Sequence, residues 1–271
     1  MGPITIHLYG LTLLVAILAA TALSGVRWAR RGGDWELVFR VAMWGVAGGI
    51  VGARLYHLAT SWNEVPDEWW GPFAIWQGGL GVWGGITGGV LAGSVVLWRA
   101  GVPLFPFYDV AAPGLLLAQA IGRIGNYVNQ ELFGKPTDLP WALEIDPAHR
   151  PFDYAQFSTF HPTFLYELLW SLLGVAVLLL VDRRFQIRPP GLFALYVAWY
   201  TFGRFFVELL RIDPAHEFLG LRLNAYVSIG LFALAVAAFV WSQRRREGRA
   251  AERPAPPRKM AVPKGRVRPG R

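Results

Sequence analysis

Seven apolar stretches, each near the ~20 residues that cross a bilayer, constrain this chain more than any other feature. They cover residues 8–23, 38–59, 79–97, 110–127, 164–181, 192–210 and 225–241. Backbone polar groups cannot go unpaired in lipid, so runs of this length and composition fold as helices. The charges between them set a direction. Arg27, Arg30 and Arg31 close the first stretch, Arg99 the third, Arg183, Arg184 and Arg188 the fifth, and Arg244, Arg245 and Arg246 the last. Glu64, Asp67 and Glu68 follow the second, in a segment (61–70) without Lys or Arg. Basic residues favour the cytoplasmic side, which predicts an outside N-terminus and a cytoplasmic C-terminus, with Lys135, Arg150 and Arg222 as external exceptions. The first stretch has arginines after it and none before it, the reverse of a secretory signal, and reads as a retained anchor. The expected fold class is an all-α, polytopic integral membrane protein.

Composition agrees with that class. Of 271 residues, 54% are hydrophobic and 16% charged, and 13 Trp with 17 Phe supply the aromatic load of membrane interfaces. The net charge of +8 gathers in the tail, so it speaks for orientation in a membrane and not for nucleic acid. There is no cysteine, which excludes a disulfide framework, a thiolate nucleophile and a Cys metal site; any reacting thiol must come from a substrate. The five His are scattered, and no metal site or cofactor is expected.

The expected organisation is a transmembrane catalytic domain, 1–241, and a basic, Pro-rich cytoplasmic tail, 242–271, expected to be disordered. Residues 130–161, broken by Pro136, Pro140, Pro147 and Pro151, form an external arm or cap, and 212–224 a small external segment. Residues 102–108, with Pro103 and Pro106, read as a cytoplasmic or interfacial turn. Gly81, Gly85, Gly89 and Gly93 repeat every four residues, as do Gly45/Gly49 and Gly48/Gly52 on the preceding span, which predicts close packing of those two helices.

Two polar stripes lie inside apolar spans. Gln119, Arg123, Asn126 and Gln130 fall within an arc of roughly 60° on one helix. Tyr200, Arg204, Glu208 and Arg211 cover roughly 80° on another. An arginine deep in a span costs at least ~2.5–3.5 kcal/mol, so a chain that keeps two is using them. Both spans run the same way and bring their polar ends to the same half of the membrane. Arg123 and Arg204 facing one cavity would form a forked anion site suited to a phosphodiester. A transporter that binds an anion through buried arginines is the alternative reading, against which stand the lack of an internal inverted repeat and the gathering of both stripes toward one side. Arg54 and His57 read as a structural pair or an external rim.

The stretch Gly122-Arg123-Ile124-Gly125-Asn126-Tyr127-Val128-Asn129-Gln130-Glu131-Leu132-Phe133-Gly134 carries a family resemblance. Its pattern, G-R-x-G-N-aromatic-aliphatic-N-x-E-x-x-G, resembles the signature of prolipoprotein diacylglyceryl transferases. Gly134-Lys135-Pro136-Thr137, Gly203-Arg204 through Glu208-Leu209-Leu210-Arg211, the N-terminal Ile6-His7-Leu8-Tyr9-Gly10 and the segment from Thr159 to Glu167, with His161-Pro162-Thr163, extend the likeness over most of residues 6–241. The resemblance implies transfer of a diacylglyceryl group from phosphatidylglycerol to the thiol of the lipobox cysteine of a prolipoprotein, releasing glycerol 1-phosphate. It implies no cofactor, and a site at the outer face of the bacterial inner membrane, with the bilayer as the source of donor.

By the same likeness Arg123 and Arg204 hold the donor phosphate and Asn126 bonds its head group. Glu208 holds Arg204, Glu131 and Gly134 shape the mouth of the site, and Tyr200 and His161 line it. His7 and Tyr9 lie near the site. One position departs from the family. Gly78-Gly79-Leu80-Gly81-Val82-Trp83-Gly84-Gly85 has Trp83 where most members have a His that is proposed as the thiol base. Tyr9, His7 and His161 are the remaining candidates for that role, unless the arginine field suffices.

Overall fold

In the computed structural model, residues 8–213 and 217–244 are described, which leaves His7 and most of the basic tail outside the described residues. Among the described residues seven long helices run antiparallel in chain order: α1 (Leu8–Arg30), α2 (Trp35–Thr60), α3 (Val82–Arg99), α4 (Leu104–Val128), α5 (Thr163–Arg184), α6 (Gly191–Leu210) and α7 (Leu223–Arg244). All but α3 are long and apolar enough to cross a membrane. The protein is therefore a mostly helical, polytopic membrane protein.

α3 is short and glycine-rich because its neighbour lies almost on its backbone. A Cβ at Gly52 or Gly88 would overlap the carbonyl oxygen of Gly84 or Gly48 across the α2–α3 seam. Only glycine lets two helices approach so closely in lipid, where dispersion contacts replace the hydrophobic effect as the packing force. α3 begins at Val82 and not at Gly79, since Gly78 and Gly79 take φ of 92° and 67°. The loop before it is pinned by Arg54, which donates to the carbonyls of Gly71 (2.6 Å), Pro72 (2.9 Å), Gly78 (3.1 Å) and Gly79 (3.1 Å). Arg54 thus has a structural task.

α4 runs through the middle, flanked by α1, α5 and α6. It starts at Leu104, so Pro106 lies in its first turn, where no intrahelical donor is lost. Pro113 lies inside the helix and cannot donate to the Asp109 carbonyl four residues back. Arg27 of α1 takes over: Nη2 donates to the Asp109 carbonyl at 3.1 Å and Nε to that of Val110 at 2.9 Å, while Asp182 of α5 pairs with it at 3.2 Å. The Asp109 carboxylate in turn accepts the Phe193 N–H at the start of α6 (2.8 Å). This buried network ties four helices together at one end of the bundle.

At the other end, α4 stops at Val128, short of Gln130, which takes φ 50°. Gln130 exchanges two bonds with Asp146, Nε2 to Oδ2 at 2.7 Å and backbone N–H to Oε1 at 2.8 Å, and so latches the arm onto the helix end. The arm is a folded cap. Its ladder pairs β1 (Leu143–Glu144) with β2 (Thr159–Phe160), over a small core of Phe133, Ile145 and Phe160. A second hairpin, β3 (Glu217–Phe218) with β4 (Leu221–Arg222), joins α6 to α7.

Candidate active site

Three contacts bring the polar residues of α4, α5 and α6 to one place. On α5 and α6, Trp170 and Trp199 stack with centroids 4.3 Å apart, and each indole N–H donates to the other's carbonyl at 3.0 Å. Gly203 has no Cβ, which leaves room for the Trp170 ring. One turn further toward the arm, these helices present Glu167 and Arg204. On α4, Tyr127 packs on Phe164 of α5 (5.7 Å), and one turn inward from that contact Arg123 meets Glu167.

Glu167 is buried, and its Oε1 accepts from Arg123 Nη2 at 3.0 Å and from Arg204 Nη1 at 2.9 Å. The two guanidinium groups therefore share one carboxylate oxygen, while Glu167 Oε2 is buried without a hydrogen-bond partner. Arg204 Nη2 also pairs with Glu208 Oε2 at 2.5 Å. Glu208 Oε1 forms an ion pair with Arg222 Nε (3.2 Å) and accepts from Asn224 Nδ2 (3.3 Å). Arg222 continues to Asp213 at 2.9 Å, and Asp213 to Arg211 at 2.5 Å. On the α4 side, Arg123 Nη1 donates to Asn126 Oδ1 (3.3 Å) and Asn126 Nδ2 to Glu131 Oε1 (2.8 Å).

The result is a continuous chain of alternating charge from Glu131 to Arg211, in which Arg123, Arg204, Arg222 and Arg211 face Glu131, Glu167, Glu208 and Asp213. Such pairing offsets the cost of holding charge away from water. Burial pushes the Asp213 carboxyl up, but the bonds from Arg211 and Arg222 outweigh it and hold the group below the usual carboxylate range. A guanidinium carries five N–H donors, so Arg123 and Arg204 each keep donors for a further anion.

The structure places the expected residues unequally. Arg123, Asn126, Glu131, Arg204 and Glu208 lie in this chain. Gln119 and Gln130 do not: Gln119 donates to the Tyr196 hydroxyl (3.0 Å), and Gln130 lies beyond the helix end. Arg211 follows the last turn of α6 and is a link to Asp213. Tyr200, one turn from Arg204, packs on the apolar cluster of Leu116, Leu178 and Leu192 below the site. Gly134 joins the arm to α5 and α6, its N–H donating to the His161 carbonyl (2.8 Å), and a Cβ there would press on Thr163, His161 and Leu210. His161 Nδ1 meets the Tyr166 hydroxyl at 3.1 Å, which also accepts from the Trp141 indole at 2.9 Å. The Tyr9 ring lies against Gly125, beside Asn126. His7 lies outside the described residues. Trp83 stands in the first turn of α3, 45% exposed.

Glu167 and Arg222 are the residues that sequence reasoning missed as members of the site. A signal for Glu167 existed, because it is the lone charge of the 164–181 stretch. The sequence marks Arg222 only as an exception to the expected charge pattern. Its ion pairs with Glu208 and Asp213 account for it.

A family model described as prolipoprotein diacylglyceryl transferase matches residues 1–241. The chain belongs to the prolipoprotein diacylglyceryl transferase family. It is 50% identical over 248 residues to the phosphatidylglycerol–prolipoprotein diacylglyceryl transferase of Cutibacterium acnes, covering 90% of this chain and 84% of that one. To the second such transferase of Streptomyces coelicolor it is 47% identical over 255 residues, 92% of this chain and 79% of the relative. To that of Bifidobacterium adolescentis it is 42% identical over 263 residues, 90% and 77%. Membership in the diacylglyceryl transferase family makes the molecule a transferase and sets aside the transporter reading of the buried arginines.

Proposed function

We propose that the Arg123–Glu167–Arg204 bridge is the donor-phosphate site of a diacylglyceryl transferase. The protein transfers the diacylglyceryl group of phosphatidylglycerol to the lipobox cysteine thiol of prolipoproteins, the first step of lipoprotein maturation. A new bond joins the cysteine sulfur to the glycerol carbon, and the bond from that carbon to the phosphate oxygen breaks. The electron pair stays on the phosphate, so glycerol 1-phosphate leaves with one more negative charge than the diester carried. The observation that carries this reading is the sharing of one oxygen by two guanidinium groups, which supplies fixed donors where that charge develops. Asn126 bonds the head group, Glu208 holds Arg204, and Glu131 and Gly134 shape the mouth.

The thiol must lose its proton to attack. The arginine field stabilises a thiolate, and Tyr9, beside Asn126, is the side chain placed to assist. Tyr9→Phe is expected to lower the rate and shift its pH profile toward higher pH. A variant with the full rate at every pH leaves the field as sole activator.

The reaction itself is tested with purified protein in detergent, phosphatidylglycerol and a synthetic lipobox peptide bearing one cysteine. The expected result is a diacylglyceryl mass gain on the peptide with release of glycerol phosphate. Lipid and peptide bound without a mass gain would sink the proposal.

The site lies at the outer face of the bacterial inner membrane, with the N-terminus outside. What supports this is the crowding of Arg27, Arg30, Arg31, Arg40, Arg99, Arg183 and Arg184 at the helix ends opposite the site. The chain has no cysteine, so single cysteines report topology directly. Gln156→Cys, in the arm, should react with an impermeant maleimide in intact cells, and Ala100→Cys, at the end of α3, should not. The reverse pattern inverts the topology.

A further inference from the structure

The end of the bundle opposite the arginine chain has a groove that shares no residue with that chain. The backbones of α2 and α3 touch along the glycine seam, which runs as far as Gly45 against Gly89. Beyond that point Gly93 meets the Val41 side chain, and beside that contact lies a groove of about 420 Å³ lined by Arg40, Trp44, Ala92, Val95, Val96 and Arg99. Arg40 and Arg99 stand far apart in the chain, and the antiparallel pairing of α2 with α3 brings both to the same groove. Both are exposed, and among the described residues neither has an ion pair or hydrogen bond. Arg27 and Arg31, at the same end of the bundle, differ, because both pair with Asp182. Trp44 and Trp98, 62% and 75% exposed, mark this level as a membrane interface.

We propose that this groove binds one anionic phospholipid of the adjoining leaflet, with its phosphate between Arg40 and Arg99. Its glycerol and first acyl carbons lie against Trp44, Ala92 and Val95. Two permanent charges with forked donors match a phosphodiester. The apolar walls match the rest of a lipid, whereas a soluble anion would leave them wet. A zwitterionic head group brings an ammonium that two guanidinium groups repel, so the selection is for net negative charge. The lipid would lie in the groove between α2 and α3, at the end of the bundle opposite Arg123 and Arg204.

The test uses the full chain in liposomes with photoreactive phosphatidylglycerol or photoreactive phosphatidylcholine, and mass spectrometry to map the labelled peptides. Phosphatidylglycerol is expected to label residues 40–44 and 95–100 at least about tenfold more than phosphatidylcholine does. Arg40→Gln with Arg99→Gln should remove that label while peptides around Arg123 and Arg204 stay labelled and transfer to a lipobox peptide continues. Equal labelling by the two lipids, or undiminished labelling of the double variant, overturns the proposal. If the double variant does not fold, the comparison of the two lipids on the unaltered protein decides alone.

Discussion

Arg123→Ala and Arg204→Ala are each expected to abolish transfer, with kcat/KM falling by at least about 10²–10³-fold. Each guanidinium is a fixed donor to the phosphate on which the leaving-group charge develops, and water cannot replace it without reorganising. The fold should survive both changes. With Arg123 gone, Glu167 keeps Arg204, and Asn126 keeps Glu131; with Arg204 gone, Glu167 keeps Arg123, and Glu208 keeps Arg222. Loss of activity should therefore come with an unchanged elution profile and melting temperature within a few degrees. Lysine is a poor substitute, because it supplies charge without the planar fork. Steady-state transfer to the lipobox peptide measures the effect, and either Ala variant working at the native rate would sink the phosphate site as drawn.

Glu167→Gln should separate kcat from KM. Glutamine keeps an oxygen for both arginines but removes the negative charge, so the site goes from balanced to net positive. An anionic donor then binds more tightly, and KM for phosphatidylglycerol should fall about tenfold on the Coulomb energy of one charge a few ångströms away. The two guanidinium groups are also held less firmly, and a small misplacement at the reacting centre should lower kcat by about 10–100-fold. Glu167→Ala goes further. It leaves two facing guanidinium groups without their shared partner and should cost about 3–5 kcal/mol of stability. Unchanged kcat and KM in Glu167→Gln would reduce Glu167 to a packing residue. A raised KM would mean that its charge helps to hold the donor.

Six of the seven helices could be read as spans from the sequence because spanning is a local property; α3, expected to cross as residues 79–97, begins at Val82 and is not among the helices long and apolar enough to do so. Whether a segment crosses depends on its own length and hydropathy against the thickness of the bilayer. The glycine repeats on α2 and α3 were legible for the same reason, since small residues at every fourth position have one main use in lipid. Arg123 and Arg204 stood out because an arginine in an apolar run is costly wherever the run packs. Helical spacing alone misled at its ends. It placed Gln130 on the α4 stripe and Arg211 on that of α6, but both helices end first, at Val128 and Leu210.

By itself the sequence determined that the chain is a polytopic membrane protein of long apolar helices, which residues are too polar to stand in them idly, and, through the signature around Arg123, the family. Only the tertiary structure decided what those residues hold. Glu167 joins Arg123 to Arg204 because the Trp170–Trp199 stack fixes α5 against α6 and the Tyr127–Phe164 contact fixes α5 against α4. Arg27 finds its partners in two carbonyls of another helix, one of them, that of Asp109, left without a donor by Pro113. Arg222, on a hairpin past α6, neutralises Glu208. The physical reason is common to all of them. A buried charge needs a partner, but the partner's place follows from side-chain packing between segments distant in the chain, and no periodicity along one segment encodes it.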